Sequence, residues 1–257
     1  MSNLNILVTS DLHGYLPDIK EPIELLLICG DICPVHDQYY IYQLDWFKNE
    51  FAAWINGLNF KDEFSQVVMI WGNHDHVGER ITKEEVKAVR KKTHSRLTVL
   101  KNETCDYEYL TDNGLQKLKI FGTPYCKIFG SWAFMVSEDT LRKKFAMCPD
   151  GVDILLSHDS PAMYETGVIR EGWSEGVDAG NVVLDECIRE KHPKINVHGH
   201  IHSSCRDFKE YDGTYIVNTS YVNERYNPVG YVLKIVLDDN KNVVSSENVL
   251  CDVKVKC

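Results

Sequence analysis

Five short polar stretches in this chain each follow directly on an apolar run, and each carries aspartate, asparagine or histidine. They are Asp11-Leu12-His13, Gly30-Asp31, Gly72-Asn73-His74-Asp75, Ser157-His158 and Gly199-His200-Ile201-His202. The runs before them include Asn5–Thr9, Glu24–Cys29, Val67–Trp71 and Asp153–Ser157. Short, nearly continuous apolar runs bounded by polar residues or glycine read as strands buried on both faces. Five polar stretches thus stand at strand ends, all of residue types that hold divalent metals through oxygen or imidazole nitrogen.

Between the strands the periodicity changes. Leu44, Phe47, Phe51, Trp54, Ile55 and Leu58 recur three or four apart, which predicts a helix over 40–58 with one aromatic-rich face packed on a core. Thr82-Lys83-Glu84-Glu85 has the form of a capping box and predicts a second helix running to about Lys92. Asn181–Lys191 is a third helix. The segments 98–121 and 206–217 alternate in the manner of strands, with Asp112-Asn113-Gly114 and Asp212-Gly213 as hairpin turns. Tyr231–Leu237 and 248–255 read as closing strands. Strands alternating with helices, followed by hairpins, predict an α/β sandwich with sheets inside and helices outside. A length of 257 residues and no linker or repeat make one domain, 1–257, the economical reading.

The net charge of −10 disfavours a general affinity for nucleic-acid backbone, and no extended basic groove is evident. It leaves room for a small anionic substrate, because bound divalent cations would reverse the sign locally. No apolar run reaches the roughly 18–20 residues that cross a bilayer. Met1-Ser2-Asn3-Leu4-Asn5 lacks a basic and cleavable leader, so the expected location is the cytoplasm. Nine cysteines, an odd number without paired zinc-site spacing, read as reduced thiols.

The five stretches carry the chemistry. Oxygen and imidazole donors suit divalent metals such as Mn, Fe, Zn and Ni. Asp11 and His13, one residue apart at a strand end, point to the same side and can chelate one ion. Asp31 has two carboxylate oxygens and is placed to bridge two ions. Asn73 offers an amide oxygen, and His158, His200 and His202 offer imidazoles. Seven ligands can be shared by two ions, with positions left for a bridging hydroxide and for phosphoryl oxygens. His74 is expected to act beside the metals, donating a proton to a leaving oxygen or a hydrogen bond to the phosphoryl group, with Asp75 orienting it. Asn73 and His74 are also expected to touch substrate. Trp132, with Phe134, is a candidate wall for a nucleobase, and Asn218 a candidate substrate contact.

The set D-x-H, GD, GNHD, H and GHxH, spanning residues 6 to 202, resembles the calcineurin-like metallophosphoesterase superfamily. The resemblance implies a four-layer αββα sandwich of two mixed β-sheets flanked by helices. It implies a first metal on Asp11, His13, Asp31 and His202, a second on Asp31, Asn73, His158 and His200, and His74 as the catalytic histidine, with Mn the expected metal. A narrower similarity joins Phe121-Gly122-Thr123-Pro124-Tyr125, Gly130-Ser131-Trp132-Ala133-Phe134, Ile216–Ser220 and Asn227-Pro228 to the branch named for metallophosphoesterase-domain-containing brain proteins. That branch implies a small phosphodiesterase with cyclic nucleotides among its substrates. Where the branch often has H-G-P-P, this chain has His158-Asp159-Ser160-Pro161.

The expected function is thus a metal-dependent phosphodiesterase acting on a small nucleotide. Rival readings are a phosphomonoesterase or phosphoprotein phosphatase, a nuclease, and a nucleotide-binding protein of low turnover. His36, His76, His94, His192 and His198 read as loop, supporting or structural residues. The charge run Lys87–Lys92 reads as a solvated helix face.

Overall fold

The computed structural model describes residues 3–254; residues 1–2 and 255–257, among them Val255 of the last expected strand, lie outside the described residues. Two six-stranded mixed sheets form its centre. In the first, β1 (Leu4–Thr9), β3 (Leu25–Cys29), β4 (Gln66–Ile70) and β5 (Leu97–Leu100) run parallel. Two antiparallel strands, β14 (Tyr231–Leu237) and β15 (Val243–Leu250), extend it beyond β1. In the second, β7 (Gly114–Thr123), β10 (Ile154–Ser157), β11 (Ile195–His198) and β13 (Thr214–Asn218) run parallel. Its edges are the antiparallel strands β6 (Glu103–Thr111) and β12 (Lys209–Tyr211). Two small pairs complete the set: β2 (Leu16–Asp18) with β16 (Asp252–Lys254), and β8 (Cys126–Lys127) with β9 (Met135–Val136).

Strand alternation assigns the layers. Ile6, Val8, Leu25, Leu27, Val68 and Ile70 pack between the sheets against Ile120, Ile154, Leu156, Ile195 and Val197. Their neighbours Leu7, Leu26, Ile28, Val67 and Met69 face outward, onto Phe47, Phe51, Ile55 and Val89. Those residues come from the helical stretch α1 (Tyr40–Trp46), a π-helical turn (Phe47–Phe51) and α2 (Ala52–Asn56), and, beyond the short α3 (His76–Arg80), from α4 (Lys83–Lys92). On the far side, Phe121, Leu155 and Ile216 meet Leu141 and Phe145 of α5 (Glu138–Phe145) and Leu184 and Ile188 of α6 (Val182–Lys191). Helix, sheet, sheet, helix is the αββα order. Each fully buried Leu, Ile or Val stabilises this arrangement by about 1.5–3 kcal/mol. A Leu27→Ala change in the inner layer would cost about 2–5 kcal/mol.

The local sequence signals explain the helix ends. Thr82 and Glu85 form the expected reciprocal capping box, and Asn181 caps α6 through the amides of Val183 and Leu184. Three expectations are corrected. Residues 98–121 are not one hairpin, because Leu97–Leu100 belongs to the first sheet and only Glu103–Thr123 forms the hairpin, in the second. The helix over 40–58 stops at Asn56, where Gly57 provides the cap, and the π-helical turn puts Phe47 and Phe51 on the core together. The last expected strand is two: Val243–Leu250 pairs with β14, while Asp252–Lys254 turns away to β2. Alternating polar residues such as Ser245, Ser246 and Glu247 carry no apolar signal along β15, which is exposed at the sheet edge.

Candidate metal centre

The parallel strands β1, β3 and β4 of one sheet and β10 and β11 of the other end at the same edge of the sandwich. Ligands of open α/β sheets bind at the carboxyl ends of strands. The loops there are forced into tight turns. Asp11, His13, Asp31 and His200 all have left-handed backbones, with φ of 51°, 45°, 51° and 74°. Aspartate and histidine tolerate this conformation better than branched residues, and such strain clusters where the surrounding structure over-determines a site. Gly72 and Gly199 let the loops close, since a Cβ at either would overlap the carboxylate of Asp31 or of Asp11.

All seven candidate ligands converge, in two overlapping groups. In the first, His202 Nε2 lies 3.1 Å from His13 Nε2 and 3.2 Å from Asp11 Oδ1. His13 Nε2 is 3.8 Å from Asp31 Oδ2. In the second, Asn73 Oδ1 is 2.8 Å from both His158 Nε2 and His200 Nδ1. His158 Nε2 is 3.4 Å from the same Asp31 Oδ2. Ligand atoms around one divalent ion stand roughly 2.8–3.6 Å apart, from octahedral to tetrahedral arrangement, when the bonds are roughly 2.0–2.2 Å. The oxygen and imidazole donors suit divalent ions, and Asp31 Oδ2 lies between the two groups.

Hydrogen bonds hold the donors in place. Ser220 Oγ donates to Asp11 Oδ2 at 2.8 Å, and the His200 amide donates to the same carboxylate. The His74 amide donates to Asp31 Oδ1 at 2.7 Å, leaving Oδ2 as the shared atom. His158 Nδ1 pairs with the Cys29 carbonyl at 2.8 Å, which turns Nε2 toward Asn73.

The electrostatics follow from burial against charge. Burial pushes His13 down to about 3 and His200 to about 4, so both rings are neutral and have a free lone pair at pH 7. Burial opposes a charge on His158 too, but the charge and hydrogen bond of Asp31 outweigh it and raise His158 to about 10. Burial raises Asp11, yet His202 beside it brings the carboxyl below its usual range. The Cys126 thiol lies near His158 and His200, and burial pushes it well above the usual thiol range.

A cavity of about 830 Å³ opens over this cluster, in the range of small-molecule sites. Its walls include Trp132, Phe129 and Tyr226. The His74 ring lies on Trp132 at the cavity wall, with centroids 4.3 Å apart. Gln43 Nε2 donates to the His74 carbonyl at 2.7 Å, and Gln38 Nε2 is 3.4 Å from His74 Nδ1.

Three expected roles do not match the geometry. Asp75 does not touch the His74 ring; its buried carboxylate accepts the backbone amides of Ile32, Cys33 and Gly72 at 3.2, 2.9 and 2.8 Å. Asn218 is not in the cavity; it binds the Ile201 carbonyl, Ser204 and Ser220 beneath the histidine loop. Phe134 is buried in the helix-side core. His198 matches its structural reading, with Nδ1 3.0 Å from Asn196 Oδ1.

Tyr226, Gln38 and Phe129 escaped the sequence. Tyr226 crowds His13 and His202, with ring centroids 4.8 and 5.1 Å away. It is presented by a turn in which Asn223 Oδ1 accepts the amides of Arg225 and Asn227, both at 3.0 Å. The Asn223…Asn227-Pro228 turn chemistry was the one available signal.

The family model described as calcineurin-like phosphoesterase matches residues 4–204. Human metallophosphoesterase domain-containing protein 1 is 24% identical over 247 residues, covering 91% of this chain and 71% of that protein. The UPF0046 protein T07D4.2 of Caenorhabditis elegans is 26% identical over 211 residues, covering 74% of this chain and 49% of that protein. In fold, the chain is similar to TT1561 of Thermus thermophilus, with a TM-score of 0.54 at 12% identity, covering 96% of this chain and 99% of that one. Among the described residues no helix is long and apolar enough to cross a membrane.

Proposed function

The chain belongs to the calcineurin-like phosphoesterase family of metal-dependent hydrolases, and from that premise we propose that it is a single-domain dinuclear phosphodiesterase acting on a small nucleotide, cyclic ones included. The observation that carries the proposal is the position of Asp31 Oδ2, 3.8 Å from His13 in one donor group and 3.4 Å from His158 in the other, under a cavity of about 830 Å³.

When bound, a pair of divalent ions, Mn being the first choice, would neutralise phosphoryl oxygens and lower the pKa of an attacking water. Asp11, His13 and His202 would hold one ion, Asn73, His158 and His200 the other, and Asp31 both. Asp31 is itself fixed by the His74 amide. With Gln38 Nε2 donating to His74 Nδ1, the neutral ring carries its hydrogen on Nε2, where it can donate a hydrogen bond to a leaving oxygen or a phosphoryl oxygen. Proton transfer would require the imidazolium, with the Gln38 amide turned to present its oxygen. Trp132 supports the ring from one side and offers a flat apolar surface to a base.

The cavity also favours a small substrate over a polymer. Among the described residues Lys127 is the one lysine or arginine lining the cavity, and its ammonium donates to the Gly180 carbonyl at 2.7 Å. Asp178 and Glu224 line the same cavity. A strand with many phosphates needs clustered cations, and this lining does not supply them.

The test is hydrolysis by metal-stripped protein reloaded with Mn²⁺. Bis(p-nitrophenyl) phosphate and cyclic nucleotides should be cleaved faster than p-nitrophenyl phosphate or a phosphopeptide. A clear preference for monoesters would replace this reading with a phosphatase.

A further inference from the structure

The loop after β10 departs from H-G-P-P at Asp159 and Ser160, and both side chains reach the loop that carries His200 and His202. Ser160 Oγ donates to the Gly199 carbonyl at 2.8 Å. Asp159 is wholly buried. Its Oδ2 accepts the Lys127 amide at 2.9 Å and Asn181 Nδ2 at 2.8 Å. Its Oδ1 has no hydrogen-bond partner and stands 3.9 Å from His200 Nε2. A buried carboxylate oxygen without a partner is costly, so its placement needs a reason.

The reason lies in the orientation of the His200 ring. Its Nδ1 points to Asn73 Oδ1 at 2.8 Å, into the second donor group. A ligating imidazole presents a lone pair at one nitrogen and keeps its proton on the other. For His200 the lone pair must be at Nδ1, and the proton at Nε2, the nitrogen that faces Asp159. The separation of 3.9 Å exceeds a hydrogen bond, so the carboxylate acts on the N–H through charge. Carboxylates behind ligating histidines fix the ring, raise its basicity, and change metal affinity about 10–100-fold when removed.

We propose that Asp159 is a positioning residue for the second metal: it selects the ligating tautomer of His200 and so sets how tightly that ion is held. The inference rests on the dinuclear reading above. Glycine or proline at these positions offers no side-chain acceptor, so this device belongs to the departure from H-G-P-P.

Asp159→Asn is the informative variant. One amide oxygen can still accept from Lys127 and Asn181, which leaves an NH₂ group facing His200 Nε2. Donor then meets donor, and the ligating tautomer is disfavoured. Mn²⁺ binding to metal-stripped protein, followed by calorimetry and by electron paramagnetic resonance, reads the two ions separately. The parent should bind two ions; Asp159→Asn should bind the first with parental affinity and the second about 10–100-fold more weakly. Asp159→Gly, the residue the branch often carries, should do the same and covers the case in which the asparagine variant does not fold. Ser160→Ala removes a brace of the same loop without touching the ring, and should keep the parental second ion. Parental affinities at both sites in the Asp159 variants would overturn the proposal, as would equal weakening of both ions with a lowered Tm. A parent that binds no second ion would instead sink the dinuclear reading.

Discussion

The backbone amide of His74 donates to Asp31 Oδ1 at 2.7 Å. One hydrogen bond thus ties the proposed proton donor to the proposed bridge between metals. It also reserves Asp31 Oδ2 for the two donor groups. Losing the charge at this position should damage both sites together. Asp31→Asn is expected to lower Mn²⁺-dependent diester hydrolysis by more than the roughly 10–100-fold typical of groups that only orient a ligand. Steady-state kinetics with the metal-loaded variant checks this, and parental turnover would contradict it.

His74 itself touches no metal in this account. His74→Ala should therefore leave the bound-metal stoichiometry unchanged while lowering kcat about 10²–10⁴-fold. Elemental analysis beside kinetics reads both quantities. If the ring protonates the leaving oxygen, the loss shrinks for p-nitrophenolate, which leaves without help. An equal loss for good and poor leaving groups points to a hydrogen bond on the phosphoryl group instead.

Trp132 lies on His74 at the cavity wall. Stacking of a base on an aromatic face contributes about 1–3 kcal/mol. Trp132→Ala should raise KM for a cyclic nucleotide by roughly 5–150-fold, with a much smaller change for a dialkyl phosphate diester. Equal changes for the two substrates would show that the indole serves only His74.

Asp75 braces the loops. Its carboxylate accepts three backbone amides, and burial, with the charge of Asp31, raises it to about 7. Asp75→Ala strands those amides, at about 1–3 kcal/mol for each buried unpaired group. The variant should unfold at a lower denaturant concentration without changing the leaving-group dependence. Parental stability with altered leaving-group dependence would restore the orienting role.

The metal-free protein should lose the stability that His158 contributes as the pH rises into alkali. Burial disfavours a charged His158, but Asp31 outweighs it and lifts the ring to about 10. A base whose pKa is raised above its unfolded value of about 6.5 adds stability that is complete below that pH and lost as pH rises through the folded value. The Tm of chelator-treated protein should fall between about pH 7 and 10, and His158→Gln should flatten the decline. A Tm that climbs across this window would refute the assignment.

Much of this was legible in the sequence because buried parallel strands announce themselves. Leu25–Cys29 and Gln66–Ile70 are apolar on both faces, so their ends, and the metal-binding residue types there, could be located without coordinates. The layer order followed from strands alternating with helices and from the family resemblance, which implies the αββα sandwich. What stayed hidden depends on contacts distant in the chain. Asp75 follows His74 directly, yet it caps amides of the loop after β3. Asn218 sits on a strand end like the others, yet its amide is turned under the histidine loop. Tyr226 reaches the site from a surface turn with no apolar run before it. The polar edge strand β15 gave no periodic signal because solvent, not packing, faces most of it.

The most direct measurement is a Mn²⁺ titration of metal-stripped protein followed by electron paramagnetic resonance. The account predicts two ions per chain, the second quenching the resolved signal of the first through magnetic coupling across Asp31, and no coupled signal in Asp31→Asn. A single ion at saturation, or two ions with independent signals, would contradict it.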